Sequence, residues 1–437
     1  MKISPARVAA FDVLLEIERK KAFSSGLLPV AEDELSLEDR GLCHELVLGT
    51  LRKQIYLDRL ISAVTKNRKI DDEVRIALRL AIYQIRFLDR IPFHSAVNES
   101  VNLVHRAKKT SAKPFVNAIL RRLLREPTEI EFSDDLDRLS VETSHPRWLL
   151  EKWAVDFGLD DAERIANANN IVPLAAFRVI DGDPVLKEEV EKFARRSENV
   201  DGCYLADVRE HRLGSLGREG RIYFQDEASQ LVANSIEIGD RRSIFDVCAS
   251  PGGKTGILAR HASAKAGIVI AGDISSPRVD LLKESLSRQD VNLHGIVQYD
   301  ATVHLPFVER SFDHVLVDAP CSGTGTIRHN PELRYFVKPD DLSSFAHKQL
   351  SILISASEMV RPGGQIVYST CSLEIEENED VCKKFLGLSD DFEAVASKVS
   401  SVFLTDDGFA RTRPDRDGMD GFFIACFRRK LSSAGYS

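Results

Sequence analysis

The sequence lacks any run of about 18 to 20 consecutive apolar residues, the length that a membrane-spanning helix needs. It also lacks the apolar core of a signal peptide, because Met1 to Pro5 lead directly into an amphipathic pattern. We therefore expect a cytoplasmic protein that has no membrane partner.

Cysteine is scarce: seven residues among 437, without regular spacing and without a Cys-x-x-Cys pair. An odd number of irregularly spaced cysteines is typical of reduced thiols in a cytoplasmic protein, and zinc sites usually need paired ligands. We expect no disulfide framework and no metal site. Any cysteine in a special position is therefore a candidate for chemistry.

Positive charge is also in deficit, since 59 Lys and Arg stand against 67 Asp and Glu, a net charge of −8. A purely electrostatic nucleic-acid binder would be basic. The deficit is uneven, however: residues 1–130 hold 23 basic and 17 acidic side chains, a net +6, and the remainder carries −14. The average therefore merges a basic region with an acidic one.

The length predicts two or three domains. Apolar residues from Val74 to Leu88 recur on one helical face, and similar stripes predict an all-α domain over residues 1–125. Residues 126–145 lack periodicity and lie between Pro127 and Pro146, which predicts a linker. Residues 146–221 alternate short apolar runs with charged helical sequence, which predicts a small α+β connector.

From residue 222 to 432 the pattern changes to strand, turn and helix, which predicts a Rossmann-like α/β domain with a parallel, doubly wound sheet. Ligands bind at the carboxyl ends of the strands in such sheets. Four acidic residues lie at or near those predicted ends: Asp246, Asp273, Asp300 and Asp318.

The turn after the first of these strands, Cys248 to Thr255, reads Cys-Ala-Ser-Pro-Gly-Gly-Lys-Thr and is followed by a helix. It matches neither a Walker A loop nor GxGxxG, which disfavours ATP. Its glycines and helix N-terminus suit the carboxylate of an amino-acid-like cofactor. Asp273 suits ribose hydroxyls and Asp300 an adenine amino group. These features together predict S-adenosylmethionine.

Cys321 follows the strand that ends at Asp318, and Cys371 follows the next one. A thiolate at this edge is a suitable nucleophile for carbon. Carbon 5 of a pyrimidine accepts a methyl group only after a nucleophile adds at carbon 6. A protonated Asp318 would donate to cytosine N3 and stabilise that adduct. This chemistry does not rank the two cysteines.

The chain from residue 222 resembles the RNA cytosine-C5 methyltransferase family named after Sun, also called Fmu or RsmB. Six ordered motifs carry the resemblance: Phe224-Gln-Asp-Glu-Ala-Ser-Gln230, Cys248-Ala-Ser-Pro-Gly-Gly-Lys254, Asp318-Ala-Pro-Cys-Ser-Gly-Thr-Gly325, Arg328-His-Asn-Pro-Glu-Leu-Arg334, Tyr368-Ser-Thr-Cys-Ser372 with Glu376-Glu-Asn-Glu379, and Asp420-Gly-Phe-Phe-Ile-Ala425. The first 125 residues resemble the NusB fold through Arg90 to Val101 and Pro114 to Arg122. A NusB-like domain before this catalytic domain implies the bacterial branch that acts on small-subunit (16S) ribosomal RNA.

The resemblance implies that Cys371 is the nucleophile and that Cys321 assists product release. It also implies contacts with S-adenosylmethionine from Cys248, Ala249, Ser250, Pro251, Gly252, Gly253, Lys254, Asp273, Arg278, Asp300 and Asp318. The connector departs from the family pattern, because Arg178 is kept but the asparagine two residues later is replaced by Ile180. The resemblance therefore gives no RNA contact there.

Basic side chains that follow the catalytic loop, namely Arg328, His329 and Arg334, are expected to meet RNA phosphates, as is the cluster between Arg106 and Arg122. Two alternatives stay open. The substrate is transfer RNA, or the protein acts mainly as an RNA-binding assembly or antitermination factor through its NusB-like domain. Nothing in the sequence requires an oligomer, so we expect a monomer.

Overall fold

A computed structural model describes residues 3–125, 128–180 and 184–431. The chain divides into two compact units. The first runs as far as Ile171 and also contains Ile327–Val337, while the second comprises Val172–Thr326 and the chain from Lys338 onward. None of the helices in the described ranges combines the length and apolar character that a membrane crossing requires.

The first unit is helical, as the sequence predicts. Its helices before the division are α1 Pro5–Lys20, α2 Ser24–Asp33, α3 Leu37–Arg52, α4 Gln54–Thr65, α5 Asp72–Phe87, α6 Phe93–Arg106, α7 Lys113–Arg125, α8 Asp135–Thr143, α9 Arg147–Phe157 and α10 Leu159–Ala168. Helix α5 shows why they form: Asp72 and Glu73 lie at its positive N-terminal end, and Val74, Ala77 and Ala81 are buried in one hydrophobic core.

The segment predicted as a linker contains helix α8. Asp134 caps that helix by accepting a hydrogen bond from the amide of Asp137, and Leu139 and Val141 are buried. The periodicity is too short to stand out in the sequence, and Pro127 lies outside the described residues. Helices α9 and α10, which the sequence groups with the connector, belong to the first unit.

The second unit opens with a small antiparallel sheet in the order β2-β3-β1-β4. Its strands are β1 Ala175–Val179, β2 Arg195–Arg196, β3 Cys203–Ala206 and β4 Ile222–Phe224, with helices α11 Pro184–Val190 and α12 His211–Arg218. One set of its side chains, including Phe177 and Tyr204, forms a small core. Another set, including Ala176 and Leu205, is buried together with residues of the large sheet's domain.

The large sheet has the order β10-β12-β9-β8-β5-β6-β7, with β11 paired to β12. Its strands are β5 Ser243–Asp246, β6 Ile268–Asp273, β7 Gly295–Gln298, β8 Phe312–Asp318, β9 Val360–Thr370, β10 Phe392–Val395, β11 Ala410–Arg411 and β12 Phe423–Arg429. The remaining helices are α13 Glu227–Asn234, α14 Gly253–Ser263, α15 Ser276–Arg288, α16 Leu333–Phe336 in the first unit, α17 Pro339–Ser357, α18 Glu379–Leu388 and α19 Pro414–Asp417.

Strands β5 to β9 pair in parallel, which confirms the predicted α/β core. The sheet is mixed, however, because β12 runs antiparallel to β9 and β10 runs antiparallel to β12. The direction of a strand is not legible from its apolar residues. Strand order reverses beside β5, which has β8 on one side and β6 on the other, so a ligand crevice is expected at their carboxyl ends.

Candidate active site

Three of the predicted aspartates end neighbouring strands of the parallel sheet: Asp246 ends β5, Asp273 ends β6 and Asp318 ends β8. Asp300 follows the end of β7 by two residues. The structure therefore brings the predicted acidic residues to one edge of the sheet, at the point where strand order reverses.

The glycine-containing turn joins β5 to α14. Gly252 adopts φ +104°, and a Cβ atom there would lie 2.9 Å from Cδ1 of Leu282, so this position requires glycine. Helix α14 begins at Gly253, which directs its first amide groups towards the turn. The left-handed backbone of Gly252 and the start of α14 at Gly253 thus agree with the anion site that the sequence predicts at this turn.

Asp273 is buried and its carboxylate is largely occupied. Oδ1 accepts from Arg278 Nε at 2.6 Å and from the amide of Ile274 at 2.8 Å, while Oδ2 accepts from the amide of Ser250 at 3.0 Å. Arg278 also donates through Nη2 to the carbonyl of Ser250 at 3.0 Å. A carboxylate has about four acceptor positions, so one position of Asp273 is left for a ligand hydroxyl.

Asp300 is exposed, and its Oδ1 accepts from both the amide and the hydroxyl of Thr302, at 2.9 and 2.6 Å. The hydroxyl bond and then the amide bond lower the pKa of Asp300. The carboxylate is therefore ionised at neutral pH and keeps the acceptor character that contact with an amino group requires.

The two cysteines that the sequence singles out lie together. Cys321 Sγ is 3.3 Å from Cys371 Sγ, because β8 and β9 are parallel neighbours and each thiol follows the end of its strand. The amide of Gly325 donates to the carbonyl of Cys371 at 3.0 Å, which ties the two loops together. The hydrogen bond with Cys371, followed by burial, raises the pKa of Cys321 well above its ordinary value.

Asp318 has two donors beside it. Lys254 Nζ donates to Oδ2 at 2.7 Å, and the hydroxyl of Ser369 donates to Oδ1 at 2.8 Å. Lys254 stands in the first turn of α14 and its ammonium lies 4.9 Å from the centre of the Phe422 ring. Both oxygens of Asp318 are therefore held by neighbouring side chains at the edge of the sheet.

A buried carboxylate connects the two cysteine loops. Glu377 accepts hydrogen bonds from the amide of Ser322 at 2.9 Å, the hydroxyl of Ser372 at 2.7 Å and the side chain of Gln349 at 2.8 Å. The Ser322 hydroxyl donates to the same group. Ser322 follows Cys321 and Ser372 follows Cys371, so the Glu377 carboxylate fixes the positions of both cysteine loops through these serines. Nothing in the acidic run of the sequence indicates which of its members does this.

Two other groups under the glycine turn have raised pKa values. Burial raises the pKa of Asp246 to about 7, although it accepts a hydrogen bond from the hydroxyl of Thr255 at 2.7 Å. Burial, with the charges of Asp273 and Asp246, raises the pKa of Cys248. Cys248 is therefore a thiol at neutral pH, and it lines the turn without the reactivity of a thiolate.

The expected phosphate contact of Arg334 is wrong. Arg334 belongs to the first unit, is 1% exposed, and donates to the carbonyls of Thr143 and Ser144 and to the side chain of Asn170. Arg328 is also buried. An arginine is normally exposed, so no sequence pattern indicates that backbone carbonyls enclose this one.

The basic cluster of the first unit is partly neutralised. Arg106 forms two hydrogen bonds of 2.7 Å with Asp12, and Lys109 pairs with Asp71 at 2.7 Å. These acidic partners lie on α1 and at the start of α5, far from the cluster in sequence. The cluster itself therefore offers less positive charge than its run of basic residues suggests, although the net +6 of the region already counts these acidic partners.

Both parts of the chain match known protein families. Residues 233–428 match the family described as 16S rRNA methyltransferase RsmB/F, and residues 4–125 match the NusB family. The probable ribosomal RNA small subunit methyltransferase B of Bacillus subtilis is 35% identical over 98% of this chain and 100% of its own. The corresponding Pseudomonas putida protein is 32% identical over 98% and 99%.

The fold has relatives of known structure. The crystal structure of PH0851 matches 98% of this chain and 100% of its own, with a TM-score of 0.85 and 25% identity. A methyltransferase homologue from Pyrococcus horikoshii matches 68% of this chain and 100% of its own, with a TM-score of 0.56 and 26% identity. Because these curated relatives are 32% and 35% identical over almost the whole chain, the chain belongs to the RsmB/F family of 16S rRNA methyltransferases.

Proposed function

We propose that this protein transfers a methyl group from S-adenosylmethionine to carbon 5 of a cytosine in small-subunit ribosomal RNA, through a covalent bond between Cys371 and carbon 6. The observation that carries the proposal is the pair of thiols, 3.3 Å apart, at strand ends next to Asp318. A methyltransferase that acts on an oxygen or an amino nitrogen has no use for two thiols at this edge.

The residues at the glycine turn fit the methyl donor. Gly252 lets the turn pack closely on Leu282 of α15, and Asp273 keeps one acceptor position for a ribose hydroxyl. The α14 amides suit the donor's carboxylate. Gly252, Gly253, Asp273, Arg278 and Asp300 would hold the donor, with the rest of the Cys248–Lys254 turn around it. S-adenosylmethionine supplies an electrophilic methyl group on a sulfonium.

Cys371 begins the reaction as a thiolate that adds to carbon 6 of the cytosine. Electron density moves to carbon 5, which becomes enamine-like, and N3 gains a proton. Asp318, in its protonated form, delivers that proton, and Lys254, 2.7 Å away, stabilises the carboxylate that remains. Carbon 5 then takes the methyl group.

Cys321 acts at the end of the reaction. Carbon 5 loses its proton to a water molecule, the carbon–sulfur bond breaks, and the electron pair of that bond returns to Cys371, while N3 gives its proton back to Asp318. The raised pKa keeps Cys321 in its thiol form, which donates a hydrogen bond to the departing sulfur at a distance of 3.3 Å. The closeness of the two thiols supports the roles that the resemblance implies, with attack by Cys371 and product release by Cys321.

The relatives' names point to small-subunit ribosomal RNA. A base must leave its stack to reach the partly buried thiol of Cys371, which favours a single-stranded loop or RNA that is not yet assembled. We propose that the NusB-like helical domain contributes RNA docking.

The cysteine roles predict opposite results for two matched variants. Cys371→Ala should form no covalent RNA complex and should lose methyl transfer completely. Cys321→Ala should accumulate a protein–RNA complex that survives a denaturing gel, because the adduct forms but is not resolved. The measurement uses radiolabelled methyl donor with ribosomal RNA and, in parallel, transfer RNA. Equal behaviour of the two variants would contradict the assigned roles, and methylation of transfer RNA alone would contradict the substrate.

A further inference from the structure

Arg178 lies in the middle of β1, on the small sheet, and is 7% exposed. Its Nη2 donates to the carbonyl of Gly253 at 3.0 Å and to Oε1 of Gln289 at 2.6 Å. Its guanidinium also lies 4.6 Å from the centre of the Tyr223 ring. A side chain for which the sequence indicates no role therefore reaches the glycine turn from another sheet.

Gln289 binds the same turn from the end of α15. It is fully buried, and its Nε2 donates to the carbonyl of Gly252 at 3.4 Å and to the hydroxyl of Ser285 at 3.2 Å. The adjacent carbonyls of Gly252 and Gly253 thus each receive a donor from outside the turn. Because Gln289 also accepts from Arg178, the two side chains form one hydrogen-bonded unit.

The unit is tightly enclosed. A Cβ atom on Gly256 would lie 2.0 Å from Oε1 of Gln289 and 3.1 Å from Nη2 of Arg178. Gly256 is therefore needed so that these side chains can pass under α14. Neither side chain has room to take another position without displacing the turn.

The charge of Arg178 is costly where it lies. Among the described residues Arg178 forms no ion pair, and its Nε and Nη1 have no hydrogen-bond partner. Burial, and then the charge of Arg260, lowers the pKa of Arg178 to about 10. A buried cation without a carboxylate lowers the stability of the fold, so stability alone does not account for its presence.

We propose that Arg178, together with Gln289, is a positioning residue that holds the Gly252–Gly253 turn in the conformation that receives the methyl donor. The inference rests on the proposed function, because it takes S-adenosylmethionine to be the ligand of the turn. Preorganising a loop removes the entropic cost of ordering it when the ligand binds. The small sheet, through Arg178, therefore increases the affinity for the methyl donor. Arg178 itself does not contact RNA.

Arg178→Met tests this on the full-length protein, since methionine fills a similar volume without donors. Titration calorimetry with S-adenosylmethionine, without RNA, should show about a tenfold increase in Kd, as expected when one or two buried hydrogen bonds are lost. RNA affinity measured without the donor should not change. In steady state, KM for the donor should rise while kcat at saturating donor stays within about twofold.

The matched control is Arg212→Met. Arg212 belongs to the same subdomain and stacks on Phe193 at 4.1 Å without touching the turn, so donor Kd should stay unchanged. If the methionine variant does not fold, Arg178→Lys serves as a second test. It keeps one donor group and should weaken donor binding less than Arg178→Met does. Unchanged donor affinity in both Arg178 variants would overturn the proposal, as would a loss confined to RNA affinity. Failure of the unsubstituted protein to bind S-adenosylmethionine would overturn the proposed function as well.

Discussion

The two halves of the active site are held in different ways. The cysteine loops are set by side chains that converge on the buried carboxylate of Glu377. The glycine turn is set through its backbone, with its carbonyls bound by Arg178 and Gln289 and an amide bound by Asp273. A thiol has to be placed to within tenths of an ångström, whereas a turn that binds through backbone groups tolerates different side chains.

The largest loss of activity is expected from a substitution of Glu377, the side chain that holds the cysteine loops. Glu377→Gln replaces one acceptor oxygen by a donor, so the hydrogen bonds from Ser322 and Gln349 cannot all be kept. We expect methyl transfer to fall by roughly 10- to 100-fold, the range for one or two hydrogen bonds to a charged group. Binding of phenylarsine oxide, which bridges two close thiols, should weaken in parallel because Cys321 and Cys371 move apart.

The control for Glu377 is Glu379→Gln. Glu379 belongs to the same acidic run but forms an ion pair with Arg411, whose Nη2 lies 2.7 and 2.8 Å from the two carboxylate oxygens. This variant should lose some stability and keep the arsenical affinity of the unsubstituted protein. If Glu377→Gln bound the arsenical unchanged, the carboxylate would not set the separation of the thiols.

A smaller effect, on the affinity for the methyl donor, is expected from a substitution next to the glycine turn. Gly256→Ala places a methyl group 2.0 Å from Oε1 of Gln289, which is buried and cannot swing out. Donor Kd should rise about tenfold as the hydrogen bonds to the turn are displaced. Gly214→Ala on α12, where no atom lies within 4 Å of the added carbon, should leave donor binding unchanged. Calorimetry that finds the two variants alike would contradict the role assigned to Gln289.

The last prediction concerns stability and pH, and it leaves both halves of the active site in place. The pKa of Asp246 in the folded protein is about 7, above its ordinary value of 3.8, so the folded state retains a proton that the unfolded chain has released. Stability should therefore fall as pH rises from about 4 to 7 and level off above that range. Asp246→Asn removes this contribution, and the variant should gain relative stability, on the order of a few kcal/mol, as pH rises to 7.

Thermal unfolding midpoints of both proteins at pH 5.5, 6.5, 7.5 and 8.5 measure this difference. All other titrating groups are shared, so the change in the gap between the two curves reports on Asp246 alone. Parallel curves would show that the Asp246 carboxyl is ionised in the folded protein throughout this range.

Sequence patterns predicted much of this architecture for a definite reason. The middle of a parallel strand buried on both faces is apolar, as in Ile244-Phe245 of β5 and Val315-Leu316-Val317 of β8, and the residue at the carboxyl end of both strands is an aspartate. The apolar runs alone therefore assign Asp246, Asp273 and Asp318 to one edge of a sheet. The antiparallel strand β12 and the short helix α8 were harder, because neither strand direction nor a nine-residue helix leaves a sufficient pattern.

The residues alone determined which groups are available for chemistry: two cysteines after strands, a glycine turn that begins a helix, and aspartates at strand ends. Only the tertiary structure decided which groups act on them. Lys254 donates to Asp318, Glu377 joins the cysteine loops, Arg178 reaches the turn from another sheet, and Arg334 is enclosed by carbonyls instead of meeting solvent. Each of these pairs is distant in sequence, and a long-range hydrogen bond leaves no periodicity, because its geometry exists only after the chain has packed.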